Sequence, residues 1–179
     1  MTHCRDAIVM YDSKYFRFRM QYIVQVGVAL VFMFFVLLAL GQLTQELLLS
    51  AIGASSLASS VTTAFVAPGS KFTRAINVMG GYAIGITLGF SCFLCEHLFI
   101  SLFPGTSILV DGAIFGSIAV GLSLLFMAML KLEHPPAAGF ALGLVLEKWD
   151  HYTILIVFIA VVTLTLLKRF CGRWLIDLV

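Results

Sequence analysis

Charged side chains are scarce in this sequence of 179 residues, at 11% of the total, against about 25% in soluble domains. The scarcity excludes a large soluble domain, and a net charge of only +2 gives no indication of a nucleic-acid partner. Apolar residues make up 61% of the chain instead. The mean hydropathy of +1.06 therefore predicts a small integral membrane protein whose main partner is the lipid bilayer.

Features that would indicate secretion or catalysis are missing too. Residues 1–21 contain no apolar core and so do not predict a cleavable signal peptide. Cys92 and Cys95 lie one helical turn apart, but Glu96 separates Cys95 from His97, so the haem-attachment motif is incomplete and a zinc site lacks its second cysteine pair. Without a Walker loop, a serine triad or a zincin helix, the sequence predicts no enzyme, no metal site and no cofactor.

Long apolar runs, by contrast, recur along the whole chain. They predict an all-α fold, a polytopic transmembrane helix bundle of about six membrane segments separated by proline-containing breaks. The predicted segments are 22–40, 47–67, 76–95, 108–130, 137–146 and 152–167. The corresponding domains are a cytoplasmic N-terminal segment (1–21), a transmembrane domain (22–168) and a cytoplasmic C-terminal tail (169–179).

The fifth segment is too short for an ordinary span. Ten residues, 137–146, form a helix of about 15 Å, half of the apolar thickness of a bilayer. The segment is either a short span buried among other helices or a re-entrant half-helix.

The basic residues indicate how many segments cross. If all six cross, ten of the eleven Lys and Arg residues lie on one side and Lys148 lies alone on the other. If only four cross, Lys71 and Arg74 move to the opposite side. We therefore predict six crossings. The positive-inside rule then places both termini in the cytoplasm, and we expect a bacterial or archaeal cytoplasmic membrane.

Small residues recur at intervals of four, the spacing that lets helix backbones approach closely. The series are Gly81/Gly85/Gly89, Gly112/Gly116, Gly139/Gly143 and Ser55/Ser59/Thr63. They indicate either tight packing alone or a narrow polar path lined by the hydroxyls of the second segment, and they are candidate contacts for a homo-oligomer. We expect Gly85→Leu to disrupt the fold and Gly85→Ala to be much milder.

The break between the fourth and fifth segments carries the chemistry of greatest interest. Pro135 and Pro136 suit the first turn of a helix, where an N–H group is not needed. The backbone amides of Ala137 and Ala138 and the positive end of the helix dipole would then face His134 and form an anion site. The alternative is an interfacial turn that the prolines stiffen.

The earlier break has similar properties. Ser70 offers a backbone amide, Arg74 adds positive charge, and Asn77 lies inside an apolar segment, where an unpaired amide is costly. For Arg74, ordinary anchoring by the positive-inside rule is the alternative. The full set of predicted substrate-binding residues is Ser55, Ser59, Ser70, Arg74, Asn77, His134, Pro135, Pro136, Ala137 and Ala138.

Four short motifs occur in order: "GAS" at 53–55, "APGS" at 67–70, "NVMGG" at 77–81 and "HPPAAG" at 134–139. In these motifs the chain resembles the HPP family of small membrane proteins, named for His-Pro-Pro. The resemblance implies four transmembrane segments, in conflict with the six that the charges predict, and nitrite transport, which is linked to plant and cyanobacterial members. The chain departs from the family pattern at Tyr82, where His is common.

These observations predict a transporter or channel for a small inorganic anion, with nitrite as the leading candidate. The alternative is a membrane scaffold or a subunit of a larger membrane complex that transports nothing itself.

Overall fold

The computed structural model describes residues 19–44, 51–146, 151–172 and 174–177. Within these ranges the fold is all-helical, which confirms the predicted transmembrane helix bundle. The six α-helices are α1 (Arg19–Thr44), α2 (Ala51–Val66), α3 (Ala75–Leu102), α4 (Ile108–Leu130), α5 (Pro135–Leu146) and α6 (His151–Cys171). A short 3₁₀ turn, Lys71–Thr73, joins α2 to α3.

Four helices, α1, α3, α4 and α6, are long and apolar enough to cross a membrane. The other two are shorter: α2 has 16 residues and α5 has 12, which correspond to about 24 Å and about 18 Å of helix. Their role depends on the directions in which the helices run.

Contacts between distant residues determine these directions. Gln25, near the start of α1, donates to the carbonyl oxygen of Phe65 near the end of α2. It also donates to Ile176, beyond the end of α6, at 2.9 Å. Lys168, in the last turn of α6, donates to the carbonyl oxygen of Thr73, just before α3, at 2.6 Å. The starts of α1 and α3 and the ends of α2 and α6 therefore meet at one end of the bundle.

The short helices must connect the two ends. Because α1 and α3 both start at the same end, α2 has to run back between them. Likewise, α4 and α6 both run toward this end, so α5 has to run away from it. All six helices alternate in direction, and the fifth segment is a short helix that passes through the bundle rather than a re-entrant half-helix.

We call the end where α1, α3 and α5 start the basic end. Every Lys and Arg that the structure describes lies there, in or beside a helix terminus. These residues are Arg19, Lys71, Arg74, Lys131, Lys168 and Arg169. The two described termini of the chain meet at the same end through the Gln25–Ile176 hydrogen bond.

The glycine series of α3 packs against α5. A Cβ atom added at Gly85 would lie 2.5 Å from the carbonyl oxygen of Ala137, and one added at Gly89 would lie 2.8 Å from that of Ala141. Even a methyl group at Gly85 would thus overlap with backbone, so Gly85→Ala is also expected to disturb this contact, although less than Gly85→Leu. The face is covered within the chain, so this series is not a contact for a homo-oligomer, and a homo-oligomer through other surfaces stays a prediction.

Helix α5 is the centre of the bundle. Its side chains are buried on nearly every side, between the glycine face of α3 and the small residues of α2 and α4. The outer surface carries large apolar side chains, as lipid contact requires. On α1 these include Ile23, Leu30, Phe34, Phe35 and Leu38.

Candidate functional site at the start of the fifth helix

The site is built from the loop that connects α4 to α5. Helix α4 ends at Lys131, which adopts the left-handed conformation with φ 56°. Residues 132–134 then lead directly into α5. Two contacts hold this loop against α3 and the 3₁₀ turn: Asn77 donates to the carbonyl oxygen of Glu133 at 3.4 Å, and the side chain of Glu133 forms an ion pair with Lys71 at 2.5 Å.

His134 lies at the end of this loop and is almost completely buried, with 1% of its surface exposed. Its Nδ1 lies 2.9 Å from the carbonyl oxygen of Phe72. Because a carbonyl oxygen can only accept, Nδ1 must carry a proton and donate. Burial lowers the pKa of His134 from its ordinary value, and the hydrogen bond to Phe72 opposes this effect. In the free protein the imidazole is therefore neutral near pH 7, with its proton on Nδ1.

The second ring nitrogen takes part in a network of hydroxyl groups. Nε2 of His134 lies 2.9 Å from the hydroxyl of Ser60, and this hydroxyl lies 2.9 Å from that of Tyr82. The same hydroxyl lies 3.0 Å from the carbonyl oxygen of Ser56, one turn earlier in α2. Ser60 and Tyr82 are both buried. One serine hydroxyl thus connects α2, α3 and the start of α5.

A cleft of about 390 Å³ opens beside this network, lined by Ser59, Thr63, Phe72, Pro135 and Pro136. Two of these residues adjoin the His134 ring, since Pro135 follows it in the chain and Phe72 accepts its hydrogen bond. The hydroxyl of Thr63 donates to the carbonyl oxygen of Ser59 at 2.7 Å. The wall of the cleft therefore contains two hydroxyl-bearing side chains and two residues that adjoin the His134 ring.

A second cleft at the basic end has a different character. It measures about 330 Å³ and is almost wholly apolar. Its lining consists of Gln21, Val24, Gln25, Val28, Phe65, Cys171, Trp174 and Leu175. A small anion gains little in such surroundings, because its lost hydration would not be replaced.

The structure separates the predicted serines by face. Ser55 and Ser59 are exposed, whereas Ser56 and Ser60 are buried. Adjacent residues of a helix point in directions that differ by about 100°. Ser55 and Ser59 therefore share a face turned away from the core, whereas Ser56 and Ser60 share a face that packs into it. The face buried in the bundle also carries Leu57, Val61, Ala64 and Phe65. This apolar stripe was the signal that could have identified Ser56 and Ser60.

The helix start is less open to an anion than the sequence indicated. The backbone N–H of Ala137 donates to the carbonyl oxygen of His134 at 3.0 Å. Both Ala137 and Ala138 are buried, the former against Gly85 of α3. The amide of Ala137 is therefore already used.

The remaining predicted residues surround the 3₁₀ turn. Ser70 caps it by accepting a hydrogen bond from the backbone N–H of Phe72 at 3.3 Å. Asn77 is buried and reaches the loop before His134, but Arg74 is exposed and turned to the surroundings. Sequence reasoning missed Ser60 and Tyr82, which contact the imidazole network directly.

Residues near the C-terminus also contact the 3₁₀ turn and the residues beside it. Asp177 accepts a hydrogen bond from the backbone N–H of Gly69 at 2.9 Å, and Lys168 donates to the hydroxyl of Thr73 at 2.5 Å. The carbonyl of Phe72 lies between these two contacts along the chain. The position of the His134 acceptor is thus supported from α6 and from the segment that follows it.

This arrangement defines a small polytopic helical membrane protein with a buried histidine at the start of a short central helix. The chain belongs to the HPP transmembrane family: the family model described as "HPP, transmembrane region" matches residues 18–174, a range that includes all six helices. Comparisons with curated proteins and with solved structures found no match. Among the described residues, no group of three or more His, Cys, Asp or Glu side chains is placed to hold a metal ion.

Proposed function

We propose that this membrane protein is a transporter or channel for a small inorganic anion, with nitrite as the leading candidate, and that it has no enzymatic activity. The observation that carries the proposal is the cleft of about 390 Å³ beside the buried His134. Nitrite as the substrate rests on the resemblance to the HPP family.

The charge distribution supports an anionic substrate. The six described Lys and Arg residues lie at the end of the bundle where the cleft lies, and they outnumber the two acidic residues described there, Glu133 and Asp177. An excess of positive charge around a cleft raises the local concentration of anions. Lys71 precedes Phe72 of the lining, and its Nζ lies 5.0 Å from the centroid of that ring. Its ion pair with Glu133 is exposed on both partners and so remains free to exchange with a passing anion.

The positive-inside rule supports one orientation of the protein in the membrane. Because Lys and Arg concentrate on the cytoplasmic side of membrane proteins, we place the basic end and both termini in the cytoplasm. We assign the protein to a bacterial or archaeal cytoplasmic membrane. The cleft then opens toward the cytoplasm.

His134 supplies a response to pH. In the free protein burial disfavours the imidazolium, whereas an anion that arrives beside the ring favours it. Binding an anion therefore takes up a proton, and by linkage the anion binds more tightly as the pH falls through the mildly acidic range. Flux should accordingly rise from about pH 8 toward about pH 5.5, a range that spans the ordinary pKa of histidine.

Uptake by proteoliposomes tests this function. Nitrite and chloride uptake should be measured from about pH 5.5 to about pH 8 for wild type, His134→Ala and His97→Ala. His134→Ala should lose most of the flux and its pH dependence. His97 is exposed at the opposite end, so His97→Ala should keep both. Transport by His134→Ala that matches wild type at every pH would overturn the proposal.

A membrane scaffold or complex subunit is the second candidate, because both ring nitrogens of His134 already have partners within the chain. On this proposal His134 stabilises the packing of the helices and takes no part in transport. Folded wild-type protein that moves neither anion across the bilayer at any pH would favour it.

A further inference from the structure

The hydroxyl of Ser60 has more neighbours than one hydrogen can serve. It lies within 3.0 Å of the Ser56 carbonyl oxygen and at 2.9 Å from both the Tyr82 hydroxyl and Nε2 of His134. A serine hydroxyl donates one hydrogen bond and accepts two. Which neighbour receives the donated hydrogen therefore depends on whether Nε2 carries a proton.

With a neutral imidazole, Nε2 is an acceptor, because the ring proton is on Nδ1 and is donated to Phe72. Ser60 then donates to Nε2 and accepts from Tyr82. Nothing is lost at Ser56, since its carbonyl oxygen also accepts the backbone N–H of Ser60 within the α-helix.

With an imidazolium, both ring nitrogens donate. Nε2 then donates to Ser60, and Ser60 turns its hydrogen to the Ser56 carbonyl oxygen, while Tyr82 can continue to donate to Ser60. Every polar hydrogen in the cluster has an acceptor in this state as well. Both protonation states of the buried ring are therefore satisfied. This matters because a buried donor without an acceptor is costly.

We propose that Ser60 is a proton switch: rotation of its hydroxyl between His134 and the Ser56 carbonyl allows the buried imidazole to bind and release a proton without leaving a polar group unpaired. The use of this switch in transport rests on the proposed function, but the switch itself is a property of the fold. Ser60 acts as a positioning residue here, with His134 as the group that titrates.

In the part of the chain that the structure describes, few other charged or titratable groups lie near the ring. From α3 the facing group is Tyr82, which shares the Ser60 hydroxyl. Lys71 precedes the ring's partner Phe72, Glu133 precedes His134 itself, and these two side chains neutralise each other in an ion pair. Lys168 is engaged with Thr73, next to Phe72. The Ser60 hydroxyl is thus the group in direct contact with Nε2 that can adapt to its charge.

Histidine NMR tests the switch without any transport assay. The chain has four histidines, so His3→Gln, His97→Gln and His151→Gln leave His134 alone for ¹⁵N labelling in detergent. We expect the neutral ring to carry its proton on Nδ1. We also expect Ser60→Ala to lower the titration midpoint by about one pH unit, since a charge-assisted hydrogen bond stabilises more than a neutral one.

Matched variants separate the hydroxyl from the packing. Ser60→Thr keeps a hydroxyl and should keep a midpoint close to wild type. Tyr82→Phe removes one donor but keeps the ring packed near His134 and Phe140, so its shift should be smaller than that of Ser60→Ala. Thr62→Ala, exposed on the same helix and bonded to the Ala58 carbonyl, should change nothing.

Two results would overturn the switch. One is a neutral His134 with its proton on Nε2, which wild-type protein alone can reveal even if Ser60→Ala does not fold. The other is a midpoint that is the same in Ser60→Ala and wild type. If the midpoint shifts as expected but wild type carries no anion, the switch stands and the proposed transport function fails. If anion flux depends on His134 but Ser60→Ala leaves the titration midpoint of His134 unchanged, only the switch proposal fails.

Discussion

The two ends of the bundle each contain a histidine, but the two rings have different surroundings. At the basic end His134 is buried and bonded to Phe72 and to Ser60, which belong to two other parts of the chain. At the opposite end His97 is exposed, and its Nδ1 lies 3.1 Å from the carbonyl oxygen of Phe93 in the same helix. The histidine at the basic end makes tertiary contacts, whereas the histidine at the opposite end makes a contact within its own helix.

The buried polar groups differ in the same way. At the basic end, hydrogen bonds from Gln25 and Lys168 connect different helices and loops. At the opposite end, buried Asp111 accepts a hydrogen bond from Thr106, five residues earlier, at 2.6 Å. Among the described residues, polar contacts between parts distant in sequence hold the basic end, whereas the bond of Asp111 at the opposite end is local. Function that needs an exact arrangement of polar groups belongs at the basic end.

The largest expected effect concerns the side of the membrane on which each end lies. In a background without native cysteines, Lys71→Cys should react with a membrane-impermeant thiol reagent from the cytoplasmic side only, because basic residues are retained there. Ser107→Cys, exposed at the start of α4, should react from the other side only. Labelling of both positions from one side would show that the two ends do not lie on opposite sides.

Breaking the contact between α3 and α5 should have the next largest effect. Gly85→Leu places a large side chain where a Cβ alone would lie 2.5 Å from a backbone oxygen, so we expect it to prevent folding. Gly85→Ala should destabilise by about 1–3 kcal/mol, the usual cost of overpacking. Thermal unfolding in detergent measures both.

A matched glycine provides the control for this contact. Gly121 in α4 has no atom within 4 Å of an added Cβ, so Gly121→Ala should melt close to wild type. If Gly85→Ala were as stable as Gly121→Ala, the close backbone contact between α3 and α5 would be wrong.

Removing the two histidines compares the ends directly. His134→Ala leaves the Phe72 carbonyl and the Ser60 hydroxyl without their ring partner in the interior, and we expect a loss of about 2–4 kcal/mol in the free energy of unfolding. His97→Ala removes an exposed ring and should change stability by less than about 0.5 kcal/mol. Denaturation of both variants at pH 7.5 in detergent gives the comparison. Equal losses in the free energy of unfolding would mean that the two histidines contribute equally to stability and that the two ends do not differ in this respect.

The smallest expected effect is at the surface of the basic end. The Lys71–Glu133 ion pair is exposed on both sides, and such pairs contribute about 0–1 kcal/mol. Glu133→Gln should therefore leave the melting temperature nearly unchanged at low salt and at high salt. A large loss of stability would show that this pair, and not the His134 network, holds the loop between α4 and α5.

Much of the fold could be predicted because its signals are local. Apolar runs showed all six helices, the charge asymmetry showed that they alternate, and the four-residue spacing of Gly81, Gly85 and Gly89 showed a close packing face. The partner of that face could not be predicted, since any small-residue helix would have suited it. As a result, the sequence could not show that the glycine face of α3 is covered by α5 within the chain.

The candidate site was predicted only in part. The His-Pro-Pro break drew attention to His134 because a titratable ring beside two prolines is unusual in an apolar chain. Its partners come from residues 60, 72 and 82, and no local pattern connects these to residue 134. The choice between Ser59 and Ser60 depended on a rotation of about 100° around one helix axis. The apolar stripe of α2 indicated which serine is buried, but only the tertiary structure shows that Ser60 contacts His134.

The sequence by itself determined the class of protein, the number of helices and the end of the bundle at which charge collects, because hydropathy and charge act through composition along each segment. Only the tertiary structure decided that α5 is the central helix, that the amide of Ala137 is taken and that one serine hydroxyl joins His134 to Tyr82. These features depend on distances of about 3 Å between groups far apart in the chain. Hydrogen bonds discriminate at that scale, whereas a pattern of apolar and polar residues does not.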